Sequence, residues 1–374
     1  MAQAVQVKDR KVRYAVVGIG WISQTAFLPG VEHTGNSEVT AFVTSHEEKA
    51  ARVGEKYGVD SIYSYDEYDQ LLASGSIDAV YLATPNFDHT GYAVRALDAG
   101  IHLLLEKPMA TCVEDCEKII AASERSGAKL MIAYRLHHEP GTLKAFAVAR
   151  SGRLGHLRYF NSSFSQPVSG QNHRAKNGYW AGPVPDMGPY PINTARNLFG
   201  AEPLEVSAMG IKSDPERFRD FHDTVAVNLR FPGDRLASMV MSYNGADLDD
   251  FRIVGTLGDL FSQPAFQVGA AMEHITTIGT HKTEESFPKT DHFGGELKYF
   301  SDCILNNRRP KADGEEGLLD IRVIAAVERA LETGEPQTLE PYVRRRRPTV
   351  DQVEKLSATK EPQLIDAHKP SEGR

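Results

Sequence analysis

Residues with chemical potential in this chain gather where short apolar runs stop. The first such place is Tyr14-Ala15-Val16-Val17-Gly18-Ile19-Gly20-Trp21-Ile22-Ser23. Gly18 permits a tight turn, Gly20 lets backbone amides approach a pyrophosphate, and the helix opened by Trp21 and Ile22 turns its positive end toward that anion. Ser23 stands where Gly or Ala is usual, and is still small enough for close packing of helix on strand. The turn reads as a dinucleotide site. Later runs end in Thr84-Pro85-Asn86 with His89 following, in Glu106-Lys107-Pro108, and in Tyr134-Arg135. Open α/β sheets bind ligands beyond the carboxyl ends of their strands, so these groups fall where the nicotinamide end of a cofactor would lie. Lys107 can move a proton if burial lowers its pKa, or stay charged and polarise an oxygen, and Pro108 keeps it out of helical angles. Arg135 can hold a substrate hydroxyl or close an ion pair. His137 is placed at the pocket edge, and Trp180 either near the nicotinamide or in plain packing.

Cofactor choice is written at the end of the second strand. An acid there would bind the adenosine ribose hydroxyls of NAD and repel a 2′-phosphate. This strand ends Val43-Thr44-Ser45-His46, with no carboxylate before Glu47. Thr44, Ser45 and Lys49 make a small polar, cationic cup that suits NADP, with NAD the second choice. Ser45 also reads as an N-cap, with Glu48 three residues on as a capping box. That explains the serine but not the missing acid.

Two kinds of texture must position these groups. Strand patterns at 13–17, 38–43, 79–83, 102–105 and 130–133 alternate with helical ones at 47–57, 66–73, 90–98 and 113–126, the signature of βαβ units and a parallel sheet. From about Gly155 come strands at 157–166, 204–212, 224–231, 236–243 and 251–256, which predict a large, mainly antiparallel open sheet, followed by helices at 293–305 and 315–332. The fold class is therefore α/β: a Rossmann dinucleotide-binding domain over 1–136, a substrate and oligomerisation domain over 137–340, and a strap or tail over 341–374.

Composition narrows the function. With 42 Lys and Arg against 50 Asp and Glu, the net charge of −8 argues against nucleic-acid or membrane-surface partners. The run Arg344 to Arg347 is expected to be a solvated or salt-bridged surface. Neither a signal-peptide pattern nor a membrane span is visible. Three cysteines, Cys112, Cys116 and Cys303, are no disulfide framework and point to the cytoplasm; no paired Cys or His set completes a metal site.

Glu106-Lys107-Pro108-Met109-Ala110-Thr111, the Gly18-x-Gly20 turn, Tyr134-Arg135 ahead of His137, Asp186-Met187-Gly188-Pro189-Tyr190-Pro191-Ile192-Asn193 and Gly314-Glu315-Glu316-Gly317 together resemble the glucose-fructose oxidoreductase, inositol dehydrogenase and MocA family over most of the chain. The resemblance implies hydride exchange between a nicotinamide cofactor and a sugar, sugar derivative or cyclic polyol, and a homodimer or homotetramer built through the second-domain sheet. It makes Lys107 the lysine beside the reacting oxygen, Asp186 a ligand of substrate hydroxyls, and Tyr190 the proton-transferring residue, where other members have histidine. The stretch Trp180-Ala181-Gly182-Pro183-Val184-Pro185 replaces a more glycine-rich approach and leaves the pocket shape open. About a dozen residues precede the first strand, so a long N-terminal arm, an export signal and self-contained sugar dismutation are not expected. Two other readings stand beside this one: a catalytically silent NADP-binding redox regulator, and a diol or dicarbonyl oxidoreductase of the same fold.

Overall fold

The structure, a computed structural model, describes residues 10–370. The polar opening read above as lacking an export signal (1–9) and the last four residues of the tail lie outside the described residues. Val12–Val17 (β1) is apolar except for Arg13 and buried almost throughout, as a strand covered by helices on both faces must be. Ser37–Val43 (β2), Ser61–Tyr63 (β3), Ala79–Leu82 (β4), His102–Glu106 (β5) and Leu130–Ala133 (β6) complete a parallel sheet in the order β3-β2-β1-β4-β5-β6. Strand order reverses at β1 and β4, and the crevice this opens at their carboxyl ends is where such sheets bind ligands. β3 was not anticipated. At three residues, none fully buried, it is too short to show periodicity.

The crossovers are helical: Leu28–Thr34 (α1), Glu47–Tyr57 (α2), Tyr68–Ala73 (α3), His89–Asp98 (α4) and Val113–Ser126 (α5). The chain enters α1 through a π-helical turn, Ser23–Phe27, in which Ser23 is wholly buried and its hydroxyl donates to the Gly18 carbonyl at 2.7 Å. The serine thus replaces the usual small third residue and also ties down the glycine turn.

Pro140–Arg150 (α6) leads to Leu157–Ser165 (β7), then the short Pro183–Met187 (α7) and Pro189–Phe199 (α8). Glu205–Ile211 (β8), Thr224–Phe231 (β9), Arg235–Ser242 (β10), Leu248–Gly255 (β11), Gly258–Ser262 (β12), Met272–Ile278 (β13) and His281–Phe287 (β14) follow, and Gln337–Thr338 (β15) adds an edge. The nine strands run β14-β13-β12-β11-β7-β10-β9-β8-β15, antiparallel except where β10 meets β7. The three strands β12 to β14 were missed for a physical reason in the clearest case: β14 is His-Lys-Thr-Glu-Glu-Ser-Phe, exposed along most of its length and without apolar alternation.

His292–Leu305 (α9) packs against α1, and Gly314–Thr333 (α10) against α5 and β8, so the last helices join both sheets. Beyond Pro341 the chain has no long helix or strand among the described residues, only a 3-10 turn at Val350–Gln352. Arg344 is buried against Asp313 at 2.9 Å and against Glu315 and Glu316, while Arg347 meets Glu202 at 2.8 Å. The basic run is therefore salt-bridged, and at Arg344 it is interior instead of surface.

Candidate functional site

A groove of about 720 Å³ follows the carboxyl ends of β1, β2, β4 and β5 and is closed from the other side by α7, α8 and the second sheet. Gly18, Gly20, Trp21 and Ile22 line it at the turn, Thr44, Ser45 and Lys49 at the end of β2, and Thr84, Glu106, Lys107 and Arg135 farther along. It fits an extended dinucleotide on three counts. Gly18 has φ of +91°, and a Cβ there would lie 2.8 Å from the Ala83 carbonyl oxygen, so only glycine makes the turn. A Cβ on Gly20 would meet nothing within 4 Å, which leaves the floor open where an anion must approach backbone amides. Trp21 Nε1 and Thr84 Oγ1, both on groove-lining residues, are buried without a partner among the described residues.

A Gly18→Ala variant is expected to lose about 2 kcal/mol from strained φ and the clash with Ala83. Its urea midpoint should fall accordingly, and an unchanged midpoint would contradict the geometry.

At the end of β2 the capping-box reading does not survive. The residue that caps α2 is His46, without a side-chain cap bond, and Thr44 Oγ1 accepts the His46 amide at 3.2 Å. Ser45 and Lys49 both face the groove. Burial lowers the Lys49 pKa somewhat, with Asp366 opposing it.

At the other end, residues from distant segments meet. Lys107 Nζ donates to the Asp186 carbonyl at 2.8 Å and to its Oδ1 at 3.2 Å, and lies 5.0 Å from the centre of the Tyr190 ring. Arg135 covers that ring at 4.9 Å and its Nε donates to the Tyr190 hydroxyl at 3.3 Å, which leaves the phenolic proton free to be given away. Burial disfavours the Lys107 ammonium, but Tyr190, Asp186 and Glu106 together raise its pKa above the ordinary lysine value. Of the two roles open to Lys107, the charged one is the one this setting supports. Burial works against the Asp186 carboxylate too, yet Arg174 and Lys107 more than offset it and hold the carboxyl far below its usual range. Burial pushes the Glu106 carboxyl up, although the Tyr81 hydroxyl donates to it at 2.6 Å.

Asp186 stands at the end of α7 and Tyr190 at the start of α8, so both side chains reach the groove across one break in the helix. Asp186 is more occupied than its sequence context suggested. Arg174 Nε donates to Oδ2 at 2.9 Å and Tyr243 donates to the same oxygen at 3.0 Å. With Lys107 that makes three side-chain donors on a group with about four lone-pair sites, so room for about one substrate hydroxyl is left.

Four residues placed at the site by sequence do not line the groove. His89 is buried, with its ring nitrogens 3.0 Å from the Pro108 and Thr84 carbonyls, and fixes the two loops to each other. Asn86 donates to the Trp180 carbonyl at 2.7 Å and so pins the covering loop. Trp180 itself packs edge-on against Tyr179. His137 is buried behind the site, its Nε2 2.7 Å from Asn193 Oδ1, and burial pushes its pKa down to about 4. It lines a separate cavity of about 20 Å³ that Lys107 and Tyr190 back onto. The remaining residues singled out above all face the groove.

Arg174 and Tyr243, and the aromatic wall of Phe164 and Phe266 around Tyr190 at 5.5 and 6.0 Å, were missed. Arg174 had a readable signal in the polar stretch Asn172-His173-Arg174 just ahead of Trp180. Phe266 had none, because it belongs to an irregular loop.

Comparison with known proteins follows the same lines. Residues 12–134 match the family described as an oxidoreductase family with an NAD-binding Rossmann fold, and residues 142–261 match the GFO/IDH/MocA C-terminal domain. The chain is 34% identical over 338 residues to a D-xylose 1-dehydrogenase of Haloarcula marismortui whose name specifies NADP(+), covering 87% of this chain and 92% of that one. Among solved structures it is similar to an aldose-aldose oxidoreductase from Caulobacter crescentus complexed with glycerol, with TM-score 0.83 and 32% identity over 88% of this chain and 100% of the other. It is also similar to a 3-ketoreductase from Actinomadura kijaniata in complex with NADP, with TM-score 0.75 and 25% identity over 86% and 98% of the two chains.

Proposed function

Since this chain belongs to the GFO/IDH/MocA oxidoreductase family, we propose that it is an NADP-preferring enzyme exchanging a hydride with a CH–OH carbon of a sugar, sugar derivative or cyclic polyol. The observation that carries the reading is the meeting of Lys107, Arg135 and Tyr190 at one end of a groove that runs to the glycine turn. A bound nicotinamide dinucleotide supplies the hydride acceptor or donor. Thr44, Ser45 and Lys49 would hold the adenosine 2′-phosphate, and Trp21 and Thr84 would offer the dinucleotide polar atoms that have no partner among the described residues.

The chain's own residues manage the proton. In the oxidising direction the substrate hydroxyl gives its proton to the Tyr190 phenolate, held between Lys107 and Arg135, as the carbon gives up its hydride; in reduction the Tyr190 phenol returns that proton to the new alkoxide and is left as the phenolate. Lys107 and Arg135 stabilise the negative charge that develops on the two oxygens during this exchange, and they do so in a partly buried setting where such charge is worth more than in water. Asp186 holds Lys107 in line and keeps one lone pair for a neighbouring hydroxyl. A Tyr190→Phe variant is expected to lose about a hundredfold in kcat, the low end of the range for general acid–base groups. Its NADPH affinity should stay within a factor of about two, since no interaction assigned to the dinucleotide is removed. Full kcat in this variant would remove Tyr190 from the reaction.

A second copy of the chain is the proposed macromolecular partner. Tyr159, Met209, Ile211, Leu236 and Val240 are all exposed, and the register puts them on the side of β7, β8 and β10 opposite the buried Ala237, Met239 and Met241. The same face carries Asn228, Arg230 and Ser238 between these side chains, so it is a mixed surface of exposed apolar and polar groups, the make-up of a subunit interface. Three free thiols favour a reducing compartment, the cytoplasm, and among the described residues no helix is long and apolar enough to cross a membrane.

A further inference from the structure

The tail returns to the groove. Gln24, buried in the π-helical turn, donates through Nε2 to the Ile365 carbonyl at 2.9 Å and accepts the Ile365 amide on Oε1 at 2.8 Å. The same Nε2 is 3.3 Å from the Ile19 carbonyl, inside the glycine turn. Lys56 of α2 donates to the Gln363 carbonyl at 2.9 Å, and Arg52 of the same helix pairs with Asp366 at 2.8 Å. Asp366 has φ of +45°, a turn that redirects the chain. Four residues later, a reach of about 13 Å for extended chain, the Pro370 carbonyl accepts the Ser169 amide at 3.0 Å, just after β7. Residues 363–370 therefore start on the parallel-sheet domain, cross, and end on the other. Lys369 and Pro370 line the groove together with Ser45 and Lys49.

Granted the dinucleotide reading above, on which this rests, we propose that residues 363–370 are a strap over the adenosine end of the groove, and that Lys369 is a further NADP-selecting residue delivered by it. The two-point grip of Gln24 on the Ile365 backbone sets the register, so the strap presents Lys369 and not a neighbour. Lys369 pairs at 3.4 Å with Glu361, but both side chains are more than half exposed, and such a pair is worth little against a dianionic phosphate. The strap must lift before the dinucleotide leaves, so it governs residence time as well as choice.

Stopped-flow release of NADPH into excess NADP+ tests this, with equilibrium titration of NADPH and NADH alongside. The full-length Gln24→Leu variant, which keeps the buried volume and loses both hydrogen bonds to the Ile365 backbone as well as the longer one to the Ile19 carbonyl, and a chain ending at Pro362, which keeps the Ile19 bond, are each expected to release NADPH about tenfold faster, the equivalent of one or two good hydrogen bonds. Lys369→Ala should weaken NADPH about fivefold and leave NADH within a factor of about two, as the loss of one exposed charge pair implies. Lys369→Arg should restore NADPH binding. Unchanged release in Gln24→Leu, or equal loss for both dinucleotides in Lys369→Ala, overturns the inference while leaving the enzyme reading intact. A wild-type chain that binds neither dinucleotide overturns both.

Discussion

Replacing Lys107 by Met is expected to lower kcat about a thousandfold, the cost of removing one preorganised donor from developing negative charge in a partly buried site. The effect should fall on the chemical step. Asp186, the residue Lys107 grips, keeps Arg174 at 2.9 Å and Tyr243 at 3.0 Å, so its carboxylate is not stranded when the ammonium goes. Urea stability should therefore move by less than about 1 kcal/mol, as for loss of one member of a network whose other partners remain. NADPH affinity should change by no more than about threefold, because the lost stabilisation belongs to the transition state. Lys107→Arg should recover little, since a planar fork cannot replace a point charge in the same contacts. The measurement is steady-state kcat and KM beside fluorescence titration of NADPH. A kcat within tenfold of wild type would mean that Lys107 is only an anchor for Asp186.

The second large effect lies away from the reacting end. Arg196 of α8 is fully buried and bonds Glu202, Glu316 and Asp320, while Arg344 and Arg347 come in from the tail to Glu316 and Glu202. Asn193, one turn before Arg196, donates to Glu316 at 2.8 Å and to Asp320 at 3.2 Å. The cluster locks α8, α10 and the tail together, and α8 is the helix that carries Tyr190. An Arg196→Met variant would leave three interior carboxyl groups short of a cation and is expected to cost about 3–5 kcal/mol, the usual price of breaking a buried ion pair from one side. Urea unfolding of the variant measures it. A loss below about 1 kcal/mol would show that Arg344 and Arg347 compensate, and that the cluster is not what fixes α8.

Much of this was legible in the sequence because the relevant signals are local. The crossover helices 47–57 and 113–126 match α2 and α5 end to end, and the glycine turn, Lys107 and Arg135 were found because strand ends in an open sheet point at the ligand. Tyr190 and Asp186 needed family resemblance, since a tyrosine between prolines carries no periodic or spacing signal of its own. What escaped was tertiary. His137 and His89 have the right chemistry at the right distance along the chain, but their rings turn inward to Asn193 and to backbone carbonyls, a choice made by neighbours more than 50 residues away for His137. Arg344 looked like surface because a run of four arginines usually is, and only the facing Asp313, Glu315 and Glu316 of the α10 start make its burial tolerable.

The central claim is that a substrate carbon beside Lys107 and Tyr190 exchanges hydride with a dinucleotide seated along the glycine turn. Incubating the protein with NADP+ and a panel of aldoses and cyclic polyols deuterated at the oxidisable carbon, then reading the recovered dinucleotide by mass spectrometry and proton NMR, tests it directly. Deuterium at nicotinamide C4 with at least one member of the panel, at a rate lowered about a hundredfold or more by Tyr190→Phe, is the predicted result. Tight NADPH binding with no deuterium transferred from any of them would contradict it.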